Sequence, residues 1–105
     1  MEIKVIDRED GKMVMPIGEI DMNTSMRLRK EFLKLHHFQP KVLFVNLERV
    51  SYIDSSGLAT LIECMQEMEK YGGTLKLIIS QPHILDVFKL ARLDTVFQIY
   101  PTVPK

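Results

Sequence analysis

Two nearly continuous runs of β-forming residues, KVLFVNL at 41–47 and TLKLIIS at 74–80, are separated by a stretch of helical period. A short run with no polar alternation fits a strand buried on both faces. Between the two runs, Leu58, Leu61, Ile62, Met65 and Met68 fall on one side of a predicted helix over 57–71, with Glu63, Gln66, Glu67 and Lys70 on the other. Gly72-Gly73 supplies a left-handed cap at its end. Strand, helix and strand in that order, with short crossovers, require a parallel pair and a right-handed connection.

The flanking segments extend the pattern. IKVID at 3–7 and KMVMPIGEI at 12–20 predict strands joined by the turn REDG, where Gly11 is free to take positive φ. Pro16 cannot donate to a ladder and implies an edge position or a bulge. NTSMRLRKEFLKLHHF predicts a helix capped by Asn23 or Thr24, with Leu28, Phe32 and Leu35 on one apolar face and Pro40 as its stop. Pro82 suits the first turn of a third helix, capped by Ser80 or Gln81 and carrying Ile84, Val87, Phe88 and Ala91. TVFQIY at 95–100 is a final strand, and PTVPK at 101–105 a tail. The order β-β-α-β-α-β-α-β predicts one α/β domain over 1–105. Its sheet is mostly parallel, with an N-terminal antiparallel hairpin and right-handed β-α crossovers.

Composition narrows the function classes. Lys plus Arg equals Asp plus Glu, so the formal net charge is zero. That argues against direct nucleic-acid binding, which needs a basic surplus. Cys64 is the only cysteine, so no internal disulfide can form, as suits a reducing compartment. No charged-then-apolar leader opens the sequence and no apolar run approaches a membrane span, so the expected location is the cytoplasm, with no membrane association.

YIDSSGLATL, residues 52–61, places an acid, two adjacent serines and a glycine where an extended run becomes helical. Asp54, Ser55 or Ser56 could each cap the helix by accepting from a free amide. One cap suffices, which leaves the crowding unexplained. A nucleophilic serine would need G-x-S-x-G, but Ile53 stands where the first glycine belongs. Nothing in the sequence places His36, His37 or His83 beside Ser55 with an orienting carboxylate. A third reading is an exposed hydroxyl that is chemically modified. A helix N-terminus at the C-terminal end of a parallel strand would present it and would tolerate a phosphate.

YIDSSGL resembles the phosphorylation motif of anti-sigma factor antagonists, small proteins built on the STAS domain. GEID at 18–21, VLFVNLERVSYIDSSGL, YGGTLKLI and VFKLARLDTVFQIY resemble further blocks of that family, in order and across almost the whole chain. The resemblance implies a STAS-like fold and a non-enzymatic partner switch without a cofactor or metal. The unphosphorylated form would bind an anti-sigma factor with serine kinase activity and so free the sigma factor. Phosphorylation at Ser55 would release it, and a PP2C-type phosphatase would reset it. Asp21, Thr24, Asp54, Ser56 and Gly57 are then the expected partner-binding residues, with Ser56 doubling as the helix cap and Gly57 permitting close approach. A scaffold or subunit role in a stress-signalling or transport-associated assembly is the alternative, and the intact D-S-S-G favours the antagonist.

The chain departs from the pattern twice. Many members carry a further helix after the last strand, where this sequence has a proline-flanked tail; weak self-association through the face such a helix covers is one expectation. Ala91-Arg92 stands where many members have a glycine, so the third helix lacks a glycine cap. The remaining features have ordinary readings. His36-His37 forms a solvated, positively charged helix end rather than a metal site. Arg27, Arg29, Lys30 and Lys34 form a solvated face. Met13, Met15, Met22 and Met26 cluster around GEID as core, or as an adaptable partner groove if exposed.

Overall fold

The computed structural model describes residues 1–104. In chain order the elements are β1 (Glu2–Arg8), β2 (Gly11–Ile20), α1 (Ser25–His36), β3 (Val42–Asn46), β4 (Val50–Ile53), α2 (Ser55–Glu69), β5 (Thr74–Ile78), α3 (Pro82–Leu90) and β6 (Gln98–Tyr100). The sheet runs β1-β2-β3-β5-β6, and β4 also pairs with β2. Only the β1-β2 hairpin is antiparallel. The mostly parallel α/β architecture is therefore the one expected.

β4 was not anticipated as a separate strand. Asn46 Oδ1 accepts from the Glu48 amide at 2.9 Å, and the Val50 amide bonds Leu47 O at 3.0 Å, closing a tight turn that ends β3. The chain then restarts against the far half of β2. β2 thus has two parallel partners in succession: β3 along Gly11–Val14 and β4 along Gly18–Ile20. Pro16 lies in the interval between them, where its missing N–H costs no ladder bond. It sits within a doubly paired strand and not at an edge. The bulge comes just afterwards: Gly18 pairs with Val50 and Glu19 with Tyr52, which leaves Ser51 as the extra residue on β4.

All three helices pack on one face. Leu28, Phe32 and Leu35 of α1, Leu58, Leu61, Cys64 and Met68 of α2, and Ile84 and Phe88 of α3 share one buried cluster with Val14, Leu43, Val45 and Leu77. The α1 triad sits where its i, i+4, i+7 spacing predicts. Burial holds the Cys64 thiol well above its ordinary pKa, so it is an inert packing group. The opposite face carries a smaller cluster, Met13, Phe44 and Ile78, flanked by Met15, Val42, Tyr100 and Val103. Arg8 lies over the Phe44 ring at 4.5 Å and Lys76 at 5.8 Å. Arg8 also donates to Pro104 O at 3.2 Å, so the tail folds back over this face.

Several helix ends differ from expectation. Asp21 prepares the start of α1, while the Thr24 side chain makes no cap bond to the helix. His36 is not a fully solvated helix end. Its Nδ1 is buried without a partner, and burial lowers its pKa against the opposing pull of Glu67 and Glu63. Ala91 is exposed and lies beyond α3 rather than on its buried face. β6 begins only at Gln98, because the Val96 amide bonds Leu93 O in a turn. After α2, Gly72 takes φ +81° and the Gly73 amide reaches Met68 O at 2.9 Å, the predicted left-handed ending. After α3 the same geometry recurs without glycine: Arg92 has φ +59° and the Leu93 amide reaches Phe88 O at 2.8 Å.

A side-chain-bearing residue in the left-handed region costs about 1–2 kcal/mol. Glycine would remove that strain but adds about 0.5–1 kcal/mol of unfolded-chain entropy. Arg92→Gly should therefore raise stability by roughly 0.5–1 kcal/mol, measured by urea denaturation. A lower midpoint would show that the Arg92 side chain holds the turn in some other way.

Candidate functional site

The site forms where β2 and β4 end together. Ile20 pairs with Ile53, and the Asp54 amide bonds Ile20 O at 3.1 Å. The two residues that follow, Asp21 and Asp54, thereby start adjacent turns, each leading into a helix. One turn opens α1, and the other opens α2.

Asp54 is the N-cap of α2, in extended conformation. Its Oδ1 accepts from the Ser56 amide at 2.9 Å, the Gly57 amide at 3.2 Å and the Ser56 hydroxyl. The Ser56 hydroxyl is the largest influence lowering the Asp54 pKa, joined by the amides of Gly57, Ser56 and Met22 and opposed by partial burial. This corrects the expectation that Ser56 caps the helix. Ser56 instead donates to the residue that caps it, and its own carbonyl accepts from the Thr60 hydroxyl at 2.9 Å.

Ser55 is left free by this arrangement. It is the first residue of α2 and is exposed. Its hydroxyl makes no hydrogen bond among the described residues. His83 Nε2 lies 3.1 Å from Ser51 O, on the strand that precedes this turn. Gly57 is buried, and a Cβ there would lie 2.6 Å from Ile53 Cγ1 and 2.8 Å from Ile20 Cγ2. The close approach that Gly57 permits is thus between α2 and the two strand ends beneath it.

Asp21 braces the turn that leads into α1. Its Oδ1 accepts from the amides of Asn23 at 2.9 Å and Thr24 at 3.1 Å, and its carbonyl accepts from the Ser25 amide at 2.8 Å. Thr24 Oγ1 accepts from the Asp21 amide at 2.9 Å and donates to Glu19 O at 2.7 Å. Asp21 and Thr24 therefore brace one loop, and Asp54 and Ser56 brace its neighbour.

The elements that meet at this edge also carry exposed apolar side chains. Met22 and Met26 are 79% and 59% exposed, and Tyr52 49%. The four clustered methionines divide: Met13 and Met15 belong to the sheet, while Met22 and Met26 face solvent. The sequence alone points to no role for Tyr52. The signal was its alternation with Ile53, which is buried. Of the basic stretch, Arg29 pairs with Glu63 across α1 and α2 at 2.7 Å, and Lys34 pairs with Glu31. Among the described residues no group of acids, histidines and cysteine could hold a metal, and no helix is long and apolar enough to cross a membrane.

Comparison with known proteins bears on this edge. The family model for the STAS domain matches residues 1–105. The anti-sigma-B factor antagonist of Bacillus subtilis is 29% identical over 99 residues, covering 94% of this chain and 90% of that protein. The crystal structure of an anti-sigma factor antagonist from Mycobacterium paratuberculosis superposes with a TM-score of 0.90 at 27% identity, covering 97% of this chain and 86% of the other. SpoIIAA, an anti-sigma factor antagonist from Bacillus, shares the fold in its unphosphorylated form, with a TM-score of 0.75 at 19% identity and coverage of 97% and 90%.

Two substitutions test the geometry. Asp54→Ala should cost about 1 kcal/mol at neutral pH, as loss of an N-cap does. The folded Asp54 pKa is depressed below 3.8, so its stabilisation is present above that value and is lost as pH falls through the folded pKa. The gap between wild type and variant should accordingly narrow below about pH 4 in denaturation curves. Gly57→Ala should cost roughly 1–3 kcal/mol through overpacking against two stiff isoleucines. A melting temperature equal to wild type would show that the helix start shifts freely.

Proposed function

Because the chain belongs to the STAS domain family, we propose that it is an anti-sigma factor antagonist, a regulatory binding protein switched by phosphorylation of Ser55. The observation that carries this reading is the asymmetry of the two serines: the Ser56 hydroxyl is held by Asp54, while the Ser55 hydroxyl is exposed and unengaged at a helix N-terminus. The likeness to antagonists from Bacillus subtilis and Mycobacterium paratuberculosis supports the same reading. In this account the unphosphorylated protein binds an anti-sigma factor with serine kinase activity in the cytoplasm. That kinase modifies Ser55, and a PP2C-type phosphatase restores it.

Met22, Met26 and Tyr52, exposed on the turn, helix and strand that meet at this edge, supply adaptable and aromatic contact area. Asp21, Thr24, Asp54, Ser56 and Gly57 contribute by holding the two loops in place, since their polar groups are committed within the chain or, for Gly57, buried. A phosphate on Ser55 adds about −1.5 to −2 charges. At a helix N-terminus that charge is favoured by roughly 0.3–1 kcal/mol, which offsets part of its repulsion from Asp54. At a protein interface, a like-charge juxtaposition costs several kcal/mol.

Incubation with ATP and each anti-sigma factor encoded in the same genome tests the proposal. One of them should phosphorylate Ser55, identified by mass spectrometry. Ser55→Ala should abolish the modification and keep binding. The phosphoprotein should bind about a hundredfold or more weakly, since each 1.4 kcal/mol is about tenfold. Phosphate on Ser56, or equal affinity of the two forms, would overturn this account.

A further inference from the structure

The strand that delivers Ser55 has a weakly supported outer side. β4 is four residues long and pairs only with β2. Its bulge at Ser51 breaks the regular alternation of carbonyls along the strand. Two side chains from the start of α3 meet those carbonyls. Gln81 Nε2 donates to Glu48 O at 2.7 Å and Val50 O at 2.8 Å, with Leu47 O at 3.5 Å. His83 Nε2 lies 3.1 Å from Ser51 O. Gln81 occupies the N-cap position of α3, yet its side chain makes no cap bond to the helix. It is directed to the loop before β4.

We propose that Gln81 and His83 are positioning residues that clamp the bulged side of β4 and so fix the presentation of Tyr52, Asp54 and Ser55 to the partner. The inference rests on the antagonist reading for its functional part. Its physical basis is separate. Apart from the clamp, β4 is held by its pairing to β2 across three residue pairs, by the Asp54–Ile20 bond and by the inward burial of Val50 and Ile53, while the carbonyls on its outer side have only the clamp. Any shift of β4 along β2 is passed directly to Asp54, because Ile53, the last residue of the strand, immediately precedes the cap. The clamp residues touch no part of the Ser55 hydroxyl and act only through the strand.

The test compares Gln81→Leu and His83→Phe, which remove the donors at similar size, with His83→Gln, which retains a donor nitrogen. Amide hydrogen exchange of the isolated protein is followed at Asp54, Ser56 and Gly57, with Phe44 and Leu77 as references in the central strands. The first two variants should speed exchange at the site about tenfold or more and leave the references within about twofold, and His83→Gln should recover most of the protection. Unchanged exchange at the site overturns the clamp, and so does an equal increase at all five amides, which would indicate a general loss of stability. Where wild type binds an anti-sigma factor, the same variants should weaken binding about tenfold. Retained affinity would show that the clamp has no part in presentation. Failure of wild type to bind any anti-sigma factor would sink the antagonist reading, while the exchange pattern would still decide the clamp.

Discussion

The bond from the Asp54 amide to the Ile20 carbonyl ties together the two strand ends on which this edge of the molecule is built. It fixes Asp21 and Asp54 in neighbouring turns. Each carboxylate then turns back on its own loop: Asp54 takes up amides that the start of α2 leaves without partners, and Asp21 takes up those of Asn23 and Thr24 in the turn before α1. α1 and α2 are thus each entered from a turn braced by an aspartate, side by side. The apolar floor beneath is Ile20 and Ile53, both buried, and Gly57 lets α2 settle directly on them. The local chemistry is polar, but its precision comes from packing.

The sequence made the long elements legible because their periods are unambiguous. The helical faces of α1 and α2 and the doubly buried β3 follow from spacing alone. β4 escaped because four residues, VSYI, carry too little pattern, and the bulge at Ser51 disrupts even that. A turn made by the Asn46 side chain separates it from β3, and Asn46 reads equally well as part of the strand. The choice among Asp54, Ser55 and Ser56 as cap was open for a similar reason. All three can accept from an amide, and only the backbone register at the helix start decides which one does. Ser55 enters the helix as its first residue, and that removes it from the competition. Asp21 was visible as an acid near the site, but its bonding within the loop was not, since an Asx turn depends on backbone angles the sequence does not state.

The second face of the sheet shows how a small apolar cluster can be finished without another helix. Phe44 is 1% exposed although no helix in the described chain covers it. Arg8 and Lys76 lay their cationic groups near its ring, and Val103 and Tyr100 close the side. Long basic side chains can shield apolar surface with their methylene stems while the charge remains in water. Little apolar surface is left open on this face. The cover the chain supplies reduces that surface, and the apolar residues left most open elsewhere, Met22 and Leu90, lie on other elements.

The proposed switch depends on this rigidity. A modification that had to reshape the sheet would work against a core in which Ile20, Leu61 and Phe88 are fully buried. A charge placed on Ser55 need do no such work. The amides of Ser56 and Gly57 already answer to Asp54, so a phosphate on Ser55 would find the helix dipole but not a free pair of donors. It would therefore remain at the surface, hydrated and beside an ionised carboxylate, without drawing the loop into a new arrangement. The energetic cost then appears only when a partner attempts to exclude water from that surface. In this arrangement the neighbouring serines have separate tasks: Ser56 helps to keep Asp54 ionised and in place, and Asp54, by satisfying the helix start, leaves the Ser55 hydroxyl available for modification.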